Sequence, residues 1–277
     1  MVTFVPTPIG NLEDITLRAL KALEAAQTVF CEDTRVTGML FKLLNERHGC
    51  HIHPKRYISL HAHNEAKRLQ DIDPALFGEP CVYVSDAGMP GISDPGEKLL
   101  AYCIQKAIPY DILPGPSAVL PGYLHSGFGS GRFLFYGFLP HKGKERSSAL
   151  ESLLGCGYDV VLYESPHRLM KLANDLAGMA PERTVSFAKE LSKKHQQVWR
   201  GSAKEVETAL GAADTRGEWV VVLAAGSECI DAGIVAQAIA KLDVAPKEAA
   251  KAMAAITGKS TKACYETLAH LQEKRPS

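Results

Sequence analysis

The first half of the chain alternates short apolar runs with longer stretches that carry apolar residues at helical spacing. The apolar runs predict buried strands, at 2–5, 29–30, 57–60, 82–84 and 110–113. Asp14 or Thr16 is expected to cap the first helix, which presents Leu17, Leu20 and Leu23 on one face. This regular βαβα order predicts a parallel sheet with helices packed on it.

The second half repeats the alternation and then changes in composition. Strands are predicted at 133–138, 159–163, 184–188, 198–201 and 219–225, with helices between them. From about residue 231 the chain is alanine-rich, and helices are predicted at 231–241, 246–256 and 261–273, like a helix-turn-helix module. The predicted fold class is therefore α/β, with domains at 1–118 and 119–229 and a small helical module at 230–277.

Composition narrows the class of protein. The chain has 277 residues, 46% hydrophobic and 22% charged, which is ordinary for a globular enzyme. No apolar run reaches the roughly 18 residues that span a bilayer, and the N-terminus lacks a basic signal-peptide region. Seven cysteines without a Cys-x-x-Cys pair argue against a zinc site or a disulfide framework. A cytoplasmic protein without membrane attachment is expected.

The net charge and the histidine content indicate which classes of ligand the chain could bind. The net charge is +0, so any nucleic-acid contact must come from local basic patches. The stretch 45–56 reads as a cationic loop with three histidines, but it lacks acidic or cysteine partners at metal-binding spacing. No metal is therefore predicted, and contact with phosphate is the favoured role of this loop.

Two turns rich in glycine and proline follow neighbouring predicted strands. Asp86-Ala87-Gly88-Met89-Pro90-Gly91 follows the strand at 82–84, and Pro114-Gly115-Pro116-Ser117-Ala118 follows the strand at 110–113. Open α/β sheets bind ligands at such strand ends, although turns of this kind also occur simply as connections. Between them, the order Asp94-Pro95-Gly96-Glu97 predicts a helix start with Asp94 as N-cap.

The turns belong to a series of segments that resembles one family along nearly the whole chain. The segments are VPTPIGNLEDITLRALKAL, CEDTR, LHAHNE, VSDAGMPGISDPG, PGPSA, SGF…RFLFYGFLP, YESPHR and KELSK. Together they resemble the tetrapyrrole methylase superfamily, in particular its ribosomal branch, the 16S ribosomal RNA cytidine 2′-O-methyltransferases. One departure is Gln196-Gln197, where the family usually carries acids. The helical module at the C-terminus also resembles the extra domain of this branch.

The resemblance implies a bilobal fold, a homodimer and S-adenosylmethionine as cofactor. It implies methyl transfer to a ribose 2′-hydroxyl of a cytidine in 16S ribosomal RNA, expected at C1402 in the decoding centre, with the 30S subunit as substrate. DNA, which lacks the 2′-hydroxyl, is not expected as a partner. The expected cofactor-binding residues are Pro6, Pro8, Gly10, Asp86, Ala87, Gly88, Pro90, Ile92, Ser93, Ser117, Ala118, Gly137, Phe138 and Glu164.

A general base would help the poorly nucleophilic hydroxyl. The candidates are Glu190, His63 and Glu32, with Glu190 first, although a structural ion pair between lysine and Glu190 is an alternative. Contact with RNA phosphates is expected from cations near the strand ends. These are Arg35, Lys142, Lys144, Arg146, Arg168, Lys189, Lys193 and Lys194.

Two other functions remain open at this point. The same fold methylates tetrapyrrole carbons in cobalamin and sirohaem synthesis, and a cleft with cationic walls suits a polycarboxylate porphyrinoid as well as RNA. The YESPHR and GFLP segments and the helical module argue against this alternative. A non-catalytic RNA-binding protein that keeps a cofactor pocket is the second alternative, and the intact loops at 86–93 and 114–118 argue against it.

Overall fold

The computed structural model describes residues 1–61, 64–129, 131–226, 239, 244–257 and 260–273. The chain forms two compact units. The first consists of Met1–Gly129, Phe135–Leu139 and Val161–Leu223, and the second of Ser130–Leu134, Pro140–Val160 and Ala224–Ser277. The three domains inferred from the sequence remain a prediction. No helix within the described ranges is long and apolar enough to cross a membrane.

The first sheet is parallel throughout, as predicted. Its strands are β1 Val2–Phe4, β2 Thr28–Cys31, β3 Arg56–Ser59, β4 Cys81–Val84 and β5 Tyr110–Ile112, in the order β3-β2-β4-β1-β5. Helices α1 Leu17–Ala25, α2 Thr34–His48, α3 Glu65–Asp71 and α4 Glu97–Gln105 connect them, with 3-10 turns at Leu12–Asp14 and Pro74–Gly78. Thr16 caps α1 by accepting a hydrogen bond from the N–H of Ala19.

The side chains of this sheet alternate between two apolar clusters. Val29 and Cys31 of β2 pack into one cluster with α1 and α2, whereas Phe30 between them packs into the other. In β4, Val82 and Val84 join the first cluster, and Tyr83 joins the second with Leu99 of α4. Because successive strand residues point to opposite faces, continuous apolar runs predict a sheet buried on both faces, and that is what forms here.

The second sheet contains antiparallel pairs. Its strands are β6 Phe133–Phe138, β7 Asp159–Glu164, β8 Thr184–Lys189, β9 Gln197–Ser202 and β10 Trp219–Leu223, in the order β6-β7-β10-β8-β9. Strand β8 runs antiparallel to both β9 and β10. The helices that accompany this half are α5 Val119–Ser126, α6 Gly143–Leu154, α7 Pro166–Met179 and α8 Ala203–Leu210.

The C-terminal part contains two described helices, α9 Pro246–Thr257 and α10 Thr261–Glu273. They pack through a small apolar cluster that includes Ala250, Met253, Cys264 and Leu268. The predicted helix at 231–241 lies outside the described residues except for position 239.

Two local predictions were wrong. Helix α4 begins at Glu97, and its N-cap is Gly96 with φ of 123°, so Asp94 does not cap it. The stretch 45–56 is not all loop, because α2 continues to His48 and ends at Gly49 with φ of 66°. The glycine supplies the left-handed conformation that terminates a helix, and this signal outweighs the polarity of the preceding residues.

The start of α4 is held by a buried carboxylate. Glu65 of α3 is 2% exposed and accepts a hydrogen bond from the N–H of Leu99 at 3.0 Å. Glu65→Ala is expected to lower the free energy of unfolding by about 1–3 kcal/mol, because a buried N–H loses its partner. Chemical denaturation checks this, with Glu97→Ala, an exposed residue of the same helix, as control. Equal losses in both variants would contradict a specific role for Glu65.

Candidate functional site

A cavity of about 440 Å³ lies in the first unit, which supplies all of its lining residues. This volume is typical of small-molecule sites. Its walls come from the segments that follow β2, β4, β5 and β7, from the end of β6 and from the start of β10. The carboxyl ends of parallel strands thus meet a common space, as the sequence predicted.

The glycine turn after β4 is pinned to the segment that follows β1. The N–H of Thr7 donates to the carbonyl of Gly88, and the N–H of Gly88 donates to the carbonyl of Thr7, both at 3.0 Å. Gly88 has φ of 81°, which suits glycine. At Gly115, a Cβ would lie 2.7 Å from Cβ of Pro6, so the second turn also depends on a bare backbone. These contacts fix both turns beside the cavity.

One wall of the cavity is acidic. Burial raises the pKa of Glu32, and the Asp86 carboxylate raises it further. Burial also raises the pKa of Asp86, while the Asp33 N–H that it accepts opposes the shift. For Asp94, burial followed by the carboxylates of Glu32, Asp86 and Glu218 raises the pKa to about 6. Carboxylates that repel one another in a partly buried site favour a cationic ligand, which relieves the repulsion.

Aromatic side chains form another part of the lining. Phe138 packs edge-on against Tyr163 at 5.6 Å between ring centroids, and Trp219 stands at the start of β10. Burial and the Asp94 carboxylate raise the pKa of Tyr163 to about 12, although a hydrogen bond with Ser117 opposes this. The phenol is therefore neutral at physiological pH. The cavity combines flat apolar surface with carboxylates, which suits a ligand with an aromatic ring and a positive charge.

The raised pKa of Asp94 predicts a pH-dependent stability. The folded state binds this proton more tightly than the unfolded chain, so ionised Asp94 destabilises the fold above pH 6, and the penalty disappears as the pH falls from about 6 to about 4. Asp94→Asn should therefore unfold at a higher temperature than the unmodified protein near neutral pH, and the difference should close in acid. Thermal unfolding between about pH 4.5 and 8 measures this.

The control for this experiment is Glu97→Gln, an exposed carboxylate three residues further along. The prediction would be contradicted if the unfolding temperatures of Asp94→Asn and the unmodified protein differed by the same amount at every pH. It would also be contradicted if Asp94→Asn unfolded at a lower temperature than the unmodified protein near neutral pH.

Most of the predicted cofactor-binding residues line the cavity. They are Asp86, Ala87, Gly88, Ile92, Ser93, Ser117, Ala118, Phe138 and Glu164. Five predicted residues do not line it, namely Pro6, Pro8, Gly10, Pro90 and Gly137. Pro6 packs on Gly115, and Gly10 packs on the stem of Lys193, where a Cβ would lie 2.2 Å from Cγ. Pro6 therefore packs against the turn at 114–118, and the contacts of Pro6 and Gly10 with a cofactor remain predictions.

Sequence reasoning missed several lining residues. Asp94, Tyr163, Ser165 and Pro166 lie inside segments that carried the family resemblance, and that signal could have identified them. Ile9, Met89 and Leu191 also lie in such segments, at apolar positions, whereas residues 217–220 at the start of β10 had no such signal. The remaining missed residues are Ile9, Met89, Leu191, Gly217, Glu218, Trp219 and Val220.

The three candidate bases differ in where the structure places them relative to the cavity. Glu32 lines the cavity. Glu190 does not, since its Oε1 accepts the N–H of Glu218 and the Nζ of Lys193, both at 2.9 Å. Burial opposes its ionisation, but these hydrogen bonds and the lysine charges prevail and lower the pKa of Glu190. The ion pair foreseen as an alternative for Glu190 is therefore present. His63 lies outside the described residues.

Burial corrects part of the predicted RNA-binding set. Arg146 is 2% exposed and donates to the carbonyl of Pro140, and Lys189 is 7% exposed and donates to the carbonyl of Asp214. The Arg168 side chain is 18% exposed and pairs with Glu164. Neighbouring oxygens engage these three cations, which makes them less suited to a phosphate, and their contact with RNA remains a prediction.

The other predicted cations are more accessible. Arg35 is exposed and paired with the adjacent Asp33. Lys193 pairs with Glu190 and Glu218. Lys142, Lys144 and Lys194 are exposed. Across the described ranges, no group of three or more histidine, cysteine, aspartate or glutamate side chains is arranged to hold a metal ion.

Comparison with known proteins assigns the chain to a family. Residues 1–207 match the family described as Tetrapyrrole (Corrin/Porphyrin) Methylases. A protein of Helicobacter pylori strain J99 named "Ribosomal RNA small subunit methyltransferase I" is 41% identical over 96% of this chain and 96% of its own length. A protein of the same name from Campylobacter fetus is 41% identical over 97% of this chain and 99% of its own length.

A shorter relative bears on the extra module. The Thermotoga maritima protein of the same name is 41% identical and aligns 96% of its length with only 79% of this chain. Part of the present chain therefore has no counterpart in that alignment, although the name is the same.

Solved structures agree on the fold. Uroporphyrin-III C-methyltransferase from Thermus thermophilus, complexed with S-adenyl homocysteine, gives a TM-score of 0.56 at 17% identity, covering 80% of this chain and 96% of its own. Diphthine synthase gives a TM-score of 0.60 at 15% identity, covering 80% and 89%. At these identities the likeness concerns the fold alone. The predicted α/β fold class and methyltransferase family are confirmed, and the chain belongs to the tetrapyrrole methylase family, in its group of ribosomal RNA small subunit methyltransferase I proteins.

Proposed function

We propose that the protein transfers the methyl group of S-adenosylmethionine to the ribose 2′-hydroxyl of a cytidine in 16S ribosomal RNA, at C1402 of the decoding centre. The proposed substrate is the assembled 30S subunit, and the proposed active form is a cytoplasmic homodimer. The observation that carries the proposal is the cavity with one acidic and one aromatic wall, in a chain 41% identical to ribosomal RNA methyltransferases over nearly its whole length.

The residues of the cavity fit S-adenosylmethionine. The cofactor has an adenine ring, a ribose with two hydroxyls, an amino group and a sulfonium, and it supplies a methyl group that the positive sulfur activates. The backbone of Ala87 and the turn at Ser117 and Ala118 would provide close polar contacts, and the missing side chain of Gly88 would let the cofactor approach closely. The carboxylates of Asp86 and Asp94 would accept hydrogen bonds from hydroxyl or ammonium groups of the cofactor and balance its positive charge.

Much of the rate enhancement would come from holding the reacting atoms in line. A bond forms between the ribose oxygen and the methyl carbon while the bond between carbon and sulfur breaks, and the hydroxyl proton must leave. We assign its acceptance to the carboxylate of Glu32, which lines the cavity and whose pKa is raised, so that it binds a proton more readily. Glu190, with its lowered pKa and committed partners, suits this role less well.

RNA binding would rest on cations that are exposed in each unit. Lys194 and Arg35 belong to the first unit, and Lys142 and Lys144 belong to the second, at and just before the start of α6. Phosphate contacts of this kind give a salt-dependent affinity even in a chain without net charge. The 2′-hydroxyl acceptor restricts the reaction to RNA.

The test is transfer of tritiated methyl from S-adenosylmethionine to purified 30S subunits and, separately, to free 16S RNA and to uroporphyrinogen III. The proposal expects label in the RNA, with 30S subunits preferred. Label in the tetrapyrrole and none in RNA would overturn the proposal in favour of tetrapyrrole methylation. Tight binding of RNA without any transfer would favour a non-catalytic role.

A further inference from the structure

The guanidinium of Arg168 joins two segments of the cavity wall. Arg168 lies in the first turn of α7, and its Nη2 is 2.9 Å from Oε1 of Glu164, at the end of β7. Its Nη1 donates to the carbonyl of Leu139 at 3.2 Å, and its Nε donates to Oγ of Ser165 at 3.2 Å. All three types of guanidinium nitrogen are therefore engaged by oxygens of the protein.

These partners stand directly beside residues that face the cavity. Leu139 follows Phe138, the last residue of β6, and Phe138 lines the cavity. Glu164 and Ser165 line it themselves, and Oε1 of Glu164 also accepts the N–H of Ser165 at 2.8 Å. The ends of β6 and β7 are thus tied together at the cavity through one side chain.

The ion pair between Arg168 and Glu164 is largely buried, so it acts within the protein rather than at its surface. The Glu164 side chain is 0% exposed, and that of Arg168 is 18% exposed. A buried carboxylate is tolerated when a charged donor satisfies it, and Arg168 supplies such a donor to Glu164. A planar fork with several fixed donors can hold an acid, a hydroxyl and a carbonyl at once, whereas the single ammonium of lysine cannot reproduce this geometry.

We propose that Arg168 is a positioning residue for the cofactor, which holds Glu164 and the end of β6 in place, and that it does not contact RNA. The inference rests on the proposed function, because it assigns Arg168 a part in cofactor binding at the same cavity. It replaces the surface role that the sequence suggested for this cation.

Arg168→Met and Arg168→Lys test the proposal in the full chain, with S-adenosylhomocysteine as the calorimetric probe. Arg168→Met is expected to weaken its binding at least about tenfold, and Arg168→Lys is expected to restore part of the loss. The slope of log RNA affinity against log salt should stay unchanged in both variants. Lys194→Met, a matched exposed cation of the first unit, should instead lower that slope by roughly 0.7–0.9 and leave the binding of S-adenosylhomocysteine unchanged.

A reduced salt slope for Arg168→Met, or unchanged binding of S-adenosylhomocysteine, would overturn the proposal. If Arg168→Met does not fold, the double variant Glu164→Gln/Arg168→Met removes the unpaired buried charge and is expected to show the same weakened binding. Failure of the proposed function is recognised separately, since the unmodified protein would then transfer no methyl group to RNA. If it methylates RNA and only the Arg168 expectations fail, the proposed function stands without this inference.

Discussion

Glu32→Gln is expected to lower kcat for RNA methylation by about 10²–10⁴-fold, the usual contribution of a general base, with little change in S-adenosylmethionine binding. The reason is that glutamine keeps the shape and one acceptor oxygen of glutamate but cannot take up the proton of the ribose hydroxyl. Glu32 follows the last residue of β2, and burial and Asp86 raise its pKa towards the range in which a base is effective.

The comparison variant for this prediction is Glu190→Gln. Glu190 accepts hydrogen bonds from Lys193 and from the backbone of Glu218, so its loss should reduce the unfolding temperature and leave kcat closer to that of the unmodified protein. Single-turnover kinetics with saturating cofactor separate the chemical step from binding. A large loss of kcat in Glu190→Gln together with a small loss in Glu32→Gln would reverse the assignment of the base.

Gly96→Ala is expected to lower the free energy of unfolding by about 2–6 kcal/mol, the sum of backbone strain and overpacking. Gly96 has φ of 123°, a conformation that side chains rarely adopt, and a Cβ would lie 2.7 Å from Cε1 of the buried Tyr83. The ring cannot move away readily, because Phe4 and Leu99 share its apolar cluster. Since Gly96 also ends the segment that carries Ile92, Ser93 and Asp94 into the cavity, cofactor affinity should fall as well.

The matched control for Gly96→Ala is Gly38→Ala, within helix α2. A Cβ at Gly38 meets nothing within 4 Å, so alanine there should be neutral or stabilising by up to about 1 kcal/mol through its higher helix propensity. Chemical denaturation of both variants measures the difference. Similar stabilities for the two variants would contradict the strain assigned to Gly96.

The sequence predicted the strands of the first sheet and the glycine turn after β4 well because both depend on local signals. Four consecutive apolar residues in β4 followed by Asp86-Ala87-Gly88 mark a buried strand and a bare-backbone turn, and the structure places both beside the cavity. The pattern around Asp94 was misleading, since Asp-Pro-x-Glu resembles a helix start. Gly96 became the cap instead, and Asp94 was left to line the cavity.

The parts that could not be predicted depend on contacts between distant segments. Charge alone suggested an exposed Arg168, but the carbonyl that it contacts belongs to Leu139, 29 residues earlier. Lys189 likewise ends a strand and reaches Asp214, 25 residues later, beside the ring of Trp219. Whether a cation ends at the surface or inside depends on such partners, and residue type and spacing do not specify them.

The most direct test of the account is the position of the transferred methyl group. After reaction with 30S subunits and S-adenosylmethionine, the 16S RNA is digested with nuclease and its fragments are mapped by mass spectrometry. The account predicts a single added methyl on the 2′-oxygen of a cytidine, at C1402, and its absence from the reaction with Glu32→Gln. A methyl group on a base, or no methyl group on the RNA under conditions where the protein binds the cofactor, would contradict it.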